Sequence, residues 1–273
     1  MKYKYKYLPF IFIFIVSIIV ILLANNYFPE VIKSNTTEEA KLESIDNSQK
    51  DWYFKSNNNE RPIFPDYVKD YIENYSIYVM GKEEKVLYMT FNCGYEYNNY
   101  TLDVLEILKQ QEIKAAFFVT GGYVKNNPEI VKKMINEGHI VGNHGYTHAT
   151  LTNLSNDELI KEFEDLRVEF KNITGEEMSK YVRPASGIYS ENILNISSQL
   201  GYKTVFWSLA YKDWDTSDQP GKSKAYSQLI NHVHNGCIVM LHTVSKSNKE
   251  ALKEAIIKLK EEGYIFKSLD EFI

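Results

Sequence analysis

The chain reads as an α/β protein built on a parallel sheet. Three observations predict this. Short β-rich runs alternate with amphipathic helices from about residue 85 onward. One run, Cys237-Ile-Val-Met-Leu241, is apolar throughout, as in a strand covered on both faces. Polar residues recur just after the strands, where parallel α/β folds place their sites. The pattern leaves open whether the sheet closes as a barrel.

Val86 to Phe91 is the first expected strand, Leu102 to Gln111 a helix and Ala115 to Val119 the next strand. Asn127 caps a helix with Pro128 at its first position. Ile130, Val131, Met134 and Ile135 form its apolar stripe, and Gly138 ends it. His139 to Gly142 is a short strand. Ser155 and Glu158 make a capping box for a helix that buries Leu159, Phe163, Leu166 and Phe170. Tyr181-Val182 is a brief strand, Ile193 to Leu200 a helix stopped by Gly201, and Thr204 to Leu209 a strand. A helix near Tyr226 to His234 ends at Gly236 and leads into the strand at Cys237. Ser247 and Glu250 are expected to cap the last long helix, with Leu252, Ile256 and Leu259 inward and Gly263 as its stop. Tyr264 to Phe266 is the seventh strand.

The body, 61–273, is preceded by three other segments. Lys2, Lys4 and Lys6 mark 1–7 as a basic cytoplasmic tail. Residues 8–24 are apolar apart from Pro9 and Ser17, and are expected to form a transmembrane signal-anchor. Cleavage after Ala24, giving a secreted protein, is the alternative, but Leu22 stands where a small residue is wanted. Residues 25–60 are polar, without sustained period, and read as a linker. The expected location is therefore the cell membrane, with the body extracytoplasmic.

Composition narrows the function. With 44% hydrophobic and 25% charged residues the chain is neither disordered nor collagen-like. Two cysteines cannot build a disulfide framework. A net charge of -5, with the lysines of the first segment drawing the balance up, makes nucleic acid an unexpected partner.

The chemistry-bearing residues cluster after strands. His144-Gly-Tyr-Thr-His148 places two imidazoles four apart, which suits one metal if the segment is a helical turn; two surface histidines in a loop is the other reading. Cys93 is a thiolate ligand or a small buried hydrophobe. Glu96 is an acid or base. His242 ends the most apolar strand and suits proton transfer near neutral pH. Arg183 suits holding a carboxylate, and Asp213 suits orienting a histidine. Five strand ends each offering a polar group favour a metal-assisted hydrolase. A metalloprotease is disfavoured, because no H-E-x-x-H helix is present.

Over 85–270 these residues resemble the polysaccharide deacetylases, the NodB-homology domain of carbohydrate esterase family 4. The family motif T-F-D-D-G is matched by Thr90-Phe-Asn-Cys-Gly94, H-[ST]-x-x-H by His144 to His148, and R-P-P-x-G by Arg183-Pro-Ala-Ser-Gly187. The D-W and L-H motifs are Asp213-Trp214 and Leu241-His242. Gly94-Tyr-Glu96, Phe206-Trp-Ser-Leu-Ala210 and Leu241-His-Thr-Val-Ser245 are similar to the delta-lactam-forming peptidoglycan de-N-acetylases of spore formers. The resemblance implies a distorted (β/α)7 barrel that removes acetyl groups from peptidoglycan amino sugars during sporulation. It implies a divalent metal, most often Zn2+, held by His144 and His148 with Cys93 at the third position. It makes position 92 the base, oriented by Arg183, and His242 the acid, tuned by Asp213. It places Gly187, Tyr189 and Trp214 at the substrate. Asn92 departs from the family, because an amide has no useful basicity. Arg183 loses its carboxylate partner and is expected to turn elsewhere or to sit in a wet site. Two readings follow: an impaired deacetylase, with Glu96 the nearest substitute base in sequence, or a glycan-binding pseudoenzyme.

Overall fold

The computed structural model describes residues 45–57 and 59–272. Twelve strands occur there. β1 (Lys50–Asp51), β2 (Lys55–Asn57), β3 (Glu60–Ile63) and β4 (Ile77–Tyr78) precede the long β5 (Val86–Cys93). β6 (Ala116–Val119), β7 (Ile140–Asn143), β8 (Tyr181–Val182), β9 (Ile188–Tyr189), β10 (Lys203–Val205), β11 (Cys237–His242) and β12 (Ile265–Phe266) follow. The helices are α1 (Tyr67–Asn74), α2 (Tyr100–Gln110), α3 (Gly121–Asn126), α4 (Pro128–Asn136), α5 (Asn156–Thr174), α6 (Glu191–Gln199), α7 (Lys222–His232) and α8 (Lys246–Glu261).

The main sheet is parallel, in the order β11-β5-β6-β7-β8-β10-β4, with β12 also on β5. The (β/α)7 barrel is corrected to an open, partly curled sheet. β11 and β4 end the ladder, and the chain beyond β10 reaches β11 through one isolated bridge, Leu209↔Val239. β10 stops at Val205, short of the expected Leu209, so no full ladder forms there.

All eight residues of β5 are buried, and its pleat sorts them. Leu87, Met89, Phe91 and Cys93 pack under the helices with Val104, Leu105, Val131 and Leu252. Val86 and Tyr88 turn into the hollow of the curled sheet, with Phe118, Tyr181 and Ile238. Phe272 joins that inner layer, stacking on Tyr78 with ring centroids 4.0 Å apart. The inner layer thus fills the hollow on one side, and polar residues occupy it at the C-terminal ends of the strands.

Several local expectations change. The Ser155–Glu158 capping box is present. The cap of α8 is Ser245, whose hydroxyl accepts from Asn248 N–H; Ser247 instead accepts from Gly221 N–H. Within the stretch read as linker, β1 pairs with β9, and Trp52 stacks on Phe206 with centroids 4.2 Å apart. The single-pass membrane reading is also corrected. No helix among the described residues is long and apolar enough to cross a membrane, and 8–24, where that helix is expected, lies outside the described residues.

His139 carries a prediction for stability. It is 7% exposed, and its Nδ1 accepts the Ala115 N–H at 3.1 Å. A ring nitrogen that accepts is unprotonated, so the imidazole is neutral. Burial, reinforced by Lys114, pulls it down from 6.5 to about 4. A depressed imidazole contributes stability above its unfolded value and loses it as pH falls toward the folded value. The stability advantage of the native chain over His139→Asn should shrink by roughly 3 kcal/mol from pH 6.5 to 4, read by urea unfolding at each pH. A difference independent of pH would refute this.

Candidate active site

Four strand ends meet at one cleft. The register of β11 on β5 sets His242 beside Asn92, and both line the cleft. Arg183 N–H donates to Asn143 O, which carries the chain after β8 alongside the His144 segment after β7. The cleft is about 1170 Å³ and includes Asn92, His144, His148, Trp207, Trp214 and His242.

Arg183 lies beneath Asn92 at the floor of the cleft and is fully buried. Nε donates to Val205 O at 3.0 Å, Nη1 to Asn92 Oδ1 at 3.0 Å and Nη2 to Thr90 Oγ1 at 2.9 Å. Its guanidinium lies 4.1 Å from the Phe118 ring centroid. The expectation that Arg183 turns away is therefore corrected: it keeps Asn92 as partner, through the amide oxygen. Every acceptor it uses is neutral, and burial weakens its hold on its proton.

The two histidines are brought together without a helix. The chain from His144 to Thr150 is a loop in which Gly145 (φ 82°) and His148 (φ 61°) take left-handed conformations. Those two reversals turn the rings toward each other, with centroids 4.9 Å apart. A side chain at 145 would also press to 3.0 Å from Glu162 Oε1. Glu162, on α5, clamps the loop: Oε1 accepts from Thr147 N–H at 2.6 Å and Thr147 Oγ1 at 2.8 Å. His144 Nδ1 lies 2.7 Å from Arg183 O. A carbonyl only accepts, so Nδ1 carries the proton and Nε2 keeps the lone pair. Burial, then His148, holds His144 well below the usual imidazole range; burial, then His242, lowers His148.

His242 is oriented by a buried carboxylate. Its Nδ1 donates to Asp213 Oδ1 at 2.7 Å, and its backbone N–H donates to Oδ2 at 2.8 Å. Asn248 Nδ2 donates to Oδ2 at 2.5 Å, and Tyr211 OH donates to Asn248 Oδ1 at 2.5 Å. Asp213 thus stands against His242, the residue the sequence pairs it with. Asn248 gives no signal in the sequence, because only the fold brings α8 behind the loop.

Cys93 does not join the histidines. Strand parity sends it under the helices, opposite to Asn92, and Thr243 Oγ1 approaches its sulfur at 3.5 Å. Burial pushes its thiol well up. Glu96 is occupied too. Its oxygens accept from Tyr97 N–H at 3.1 Å, Thr101 N–H at 3.3 Å and Tyr123 OH at 2.8 Å, so it caps α2. The side chains lining the cleft include no Asp or Glu.

The expected substrate residues separate. Trp214 lines the cleft and is 55% exposed. Tyr189 is buried among Trp52, Tyr71 and Phe206, away from it. Gly187 sits in a turn beside it, its N–H donating to Pro184 O at 3.2 Å. With φ 70° and Trp207 2.9 Å from where a Cβ would stand, that position requires glycine. Tyr95, Tyr211 and Trp207 also line the cleft. Tyr95 and Trp207 are hinted at in the sequence, within Gly94-Tyr-Glu96 and Phe206-Trp-Ser-Leu-Ala210, and Tyr211 is not.

A catalytic zinc normally takes three protein ligands. His144, with its lone pair on Nε2, and His148 supply two. Asn92 Oδ1 is taken by Arg183, and Cys93 faces elsewhere. Among the described residues no group of three His, Cys, Asp or Glu is placed to hold a metal. The residues present therefore fall short of a three-ligand centre.

Both cysteines are free and buried, and burial raises Cys237 to about 12. Neither thiol should react with a disulfide reagent in the folded chain, and both should react after unfolding in guanidinium. Rapid labelling of Cys93 in the native state would contradict its placement.

A polysaccharide deacetylase family profile matches residues 80–205. The peptidoglycan-N-acetylmuramic acid deacetylase PdaA of Bacillus subtilis is 43% identical over 238 residues, 86% of this chain and 89% of that protein. The structure of PdaA, a family 4 carbohydrate esterase, is 42% identical with a TM-score of 0.81, over 84% of this chain and 98% of that one. A wild-type pseudoenzyme of the same esterase family, from Bacillus anthracis, is 29% identical with a TM-score of 0.66, over 72% of this chain and 68% of that one. A mutant of that pseudoenzyme has restored enzymatic activity. The chain belongs to the polysaccharide deacetylases, the NodB-homology group of carbohydrate esterase family 4, and is closely related to the PdaA-type peptidoglycan deacetylases of Bacillus.

Proposed function

We propose that the cleft takes an N-acetylated amino sugar of peptidoglycan, of the muramic type, and that removal of its acetyl group is impaired at position 92. The observation that carries this is the Asn92 amide on the Arg183 guanidinium, at the cleft floor where the family resemblance puts the base. The support for substrate class is the likeness to PdaA.

Amide hydrolysis needs a proton taken from water and a proton given to the departing amine. His242 suits the second transfer, because Asp213 holds its Nδ1–H and leaves Nε2 to carry and release the proton. Asn92 fails the first, because its oxygen is committed to Arg183 and its nitrogen only donates. Trp214 and Tyr95 offer flat apolar faces for a sugar ring at the cleft. Family likeness supports a divalent metal, but the two imidazoles leave its ligand set incomplete, and no step here depends on one.

The absence of any lining carboxylate favours a second reading, a glycan-binding pseudoenzyme of the same fold. Acetate release from peptide-stripped peptidoglycan separates the two. Asn92→Asp should release acetate about 10²–10⁴-fold faster than the native chain, the usual worth of a general base. Native release within that range supports the impaired enzyme. Release from Asn92→Asp alone supports the pseudoenzyme. Inactivity of both would overturn the role given to position 92. In the Asn92→Asp background, His242→Ala should again cost about 10²–10⁴-fold in turnover, with glycan affinity unchanged.

A further inference from the structure

We propose that the cleft floor is a binding site for a small carboxylate anion, built by Asn92 over the buried Arg183. It goes beyond the glycan reading and stands on the geometry of these two residues alone.

Arg183 is a buried cation, and its acceptors are two backbone carbonyls, the Thr90 hydroxyl and the Asn92 amide oxygen. None carries charge, and no ion pair to it exists among the described residues. Charge buried without a counter-ion is costly, and an anion within reach is strongly favoured. The cleft above offers nothing to neutralise it. Its lining includes no carboxylate.

Asn92 turns this field into a site. A guanidinium only donates, so the oxygen of the Asn92 amide must be the atom facing Arg183. The other branch, Nδ2, carries two N–H donors. Asn92 is 7% exposed and lines the cleft, so those donors stand at the mouth of the positive field. A carboxylate at this position would present oxygen to both Arg183 and the cleft. The amide presents oxygen to Arg183 and hydrogen to the cleft. The site has changed from one that accepts protons to one that holds acceptors. A carboxylate of two or three carbons satisfies both the donors and the charge. Acetate, the product of deacetylation, and the lactyl acid of an acidic sugar share that chemistry.

Isothermal titration of the full chain, kept in chelator at fixed ionic strength, tests this with acetate, lactate and acetamide. Acetamide has the shape of acetate without its charge. The native chain should bind acetate at least about tenfold more tightly than acetamide, and Asn92→Asp should reverse that order through like-charge repulsion. Asn92→Leu, which removes the donors without adding charge, should weaken acetate several-fold and serves if Asn92→Asp does not fold. Lactate binding as well as acetate points to an acidic sugar, and rejection of lactate points to the product; both need the acetate preference. No preference for acetate over acetamide in the native chain overturns the proposal. A preference retained in Asn92→Asp also overturns it, because the anion then binds elsewhere. Glycan binding measured on the same samples fails or holds separately.

Discussion

A positive charge is buried beneath the cleft, and the site is arranged around it. The Arg183 side chain spans the curled sheet, reaching Thr90 and Asn92 on β5 and the carbonyls of Val205 and Phe206 at the end of β10. Its own carbonyl accepts a hydrogen bond from His144 Nδ1–H, and its N–H donates to Asn143 O. One residue thus joins three strand ends and fixes the tautomer of a histidine. Hydrogen bonds made by a charged group are individually stronger than neutral ones, so this cluster resists rearrangement.

That arrangement makes position 92 decisive. His242 is held by Asp213, and Asp213 by Asn248. The histidine pair is held by Glu162 through the Thr147 segment. Only the floor differs in kind. An amide satisfies the geometry of Arg183 without satisfying its charge. The same esterase family includes a pseudoenzyme from Bacillus anthracis.

Much of this is legible in the sequence, and the failures have physical causes. The alternation of strands and helices, the Ser155 cap and the five strand-end motifs follow from local patterns. Closure of the sheet does not, because it depends on where β10 stops, and no local signal marks Val205 as the last residue. Cys93 fails as a ligand because adjacent residues on a strand face opposite ways, so it cannot share the cleft with Asn92 while the strand stays regular. The spacing of the histidine pair suggests a helical turn, yet positive φ at Gly145 and His148 achieves the same proximity. Glu96 looks like a spare base in the sequence, but the backbone N–H groups of Tyr97 and Thr101 and the Tyr123 hydroxyl claim it. Trp52 lies in a polar stretch with no period, and distant partners, Tyr189, Phe206 and Trp207, give it a role.

Arg183 stands at the centre of the site as a buried cation without a counter-ion. The unfolding free energy of Asn92→Asp against the native chain, followed from pH 7 down to pH 3, tests that most directly. The new carboxylate should pair with Arg183 and be held below its unfolded value of about 3.9. Asn92→Asp should therefore be the more stable protein at neutral pH, and its advantage should vanish as pH falls through the lowered carboxyl value. A variant no more stable than the native chain, or an advantage independent of pH, would contradict the unpaired charge.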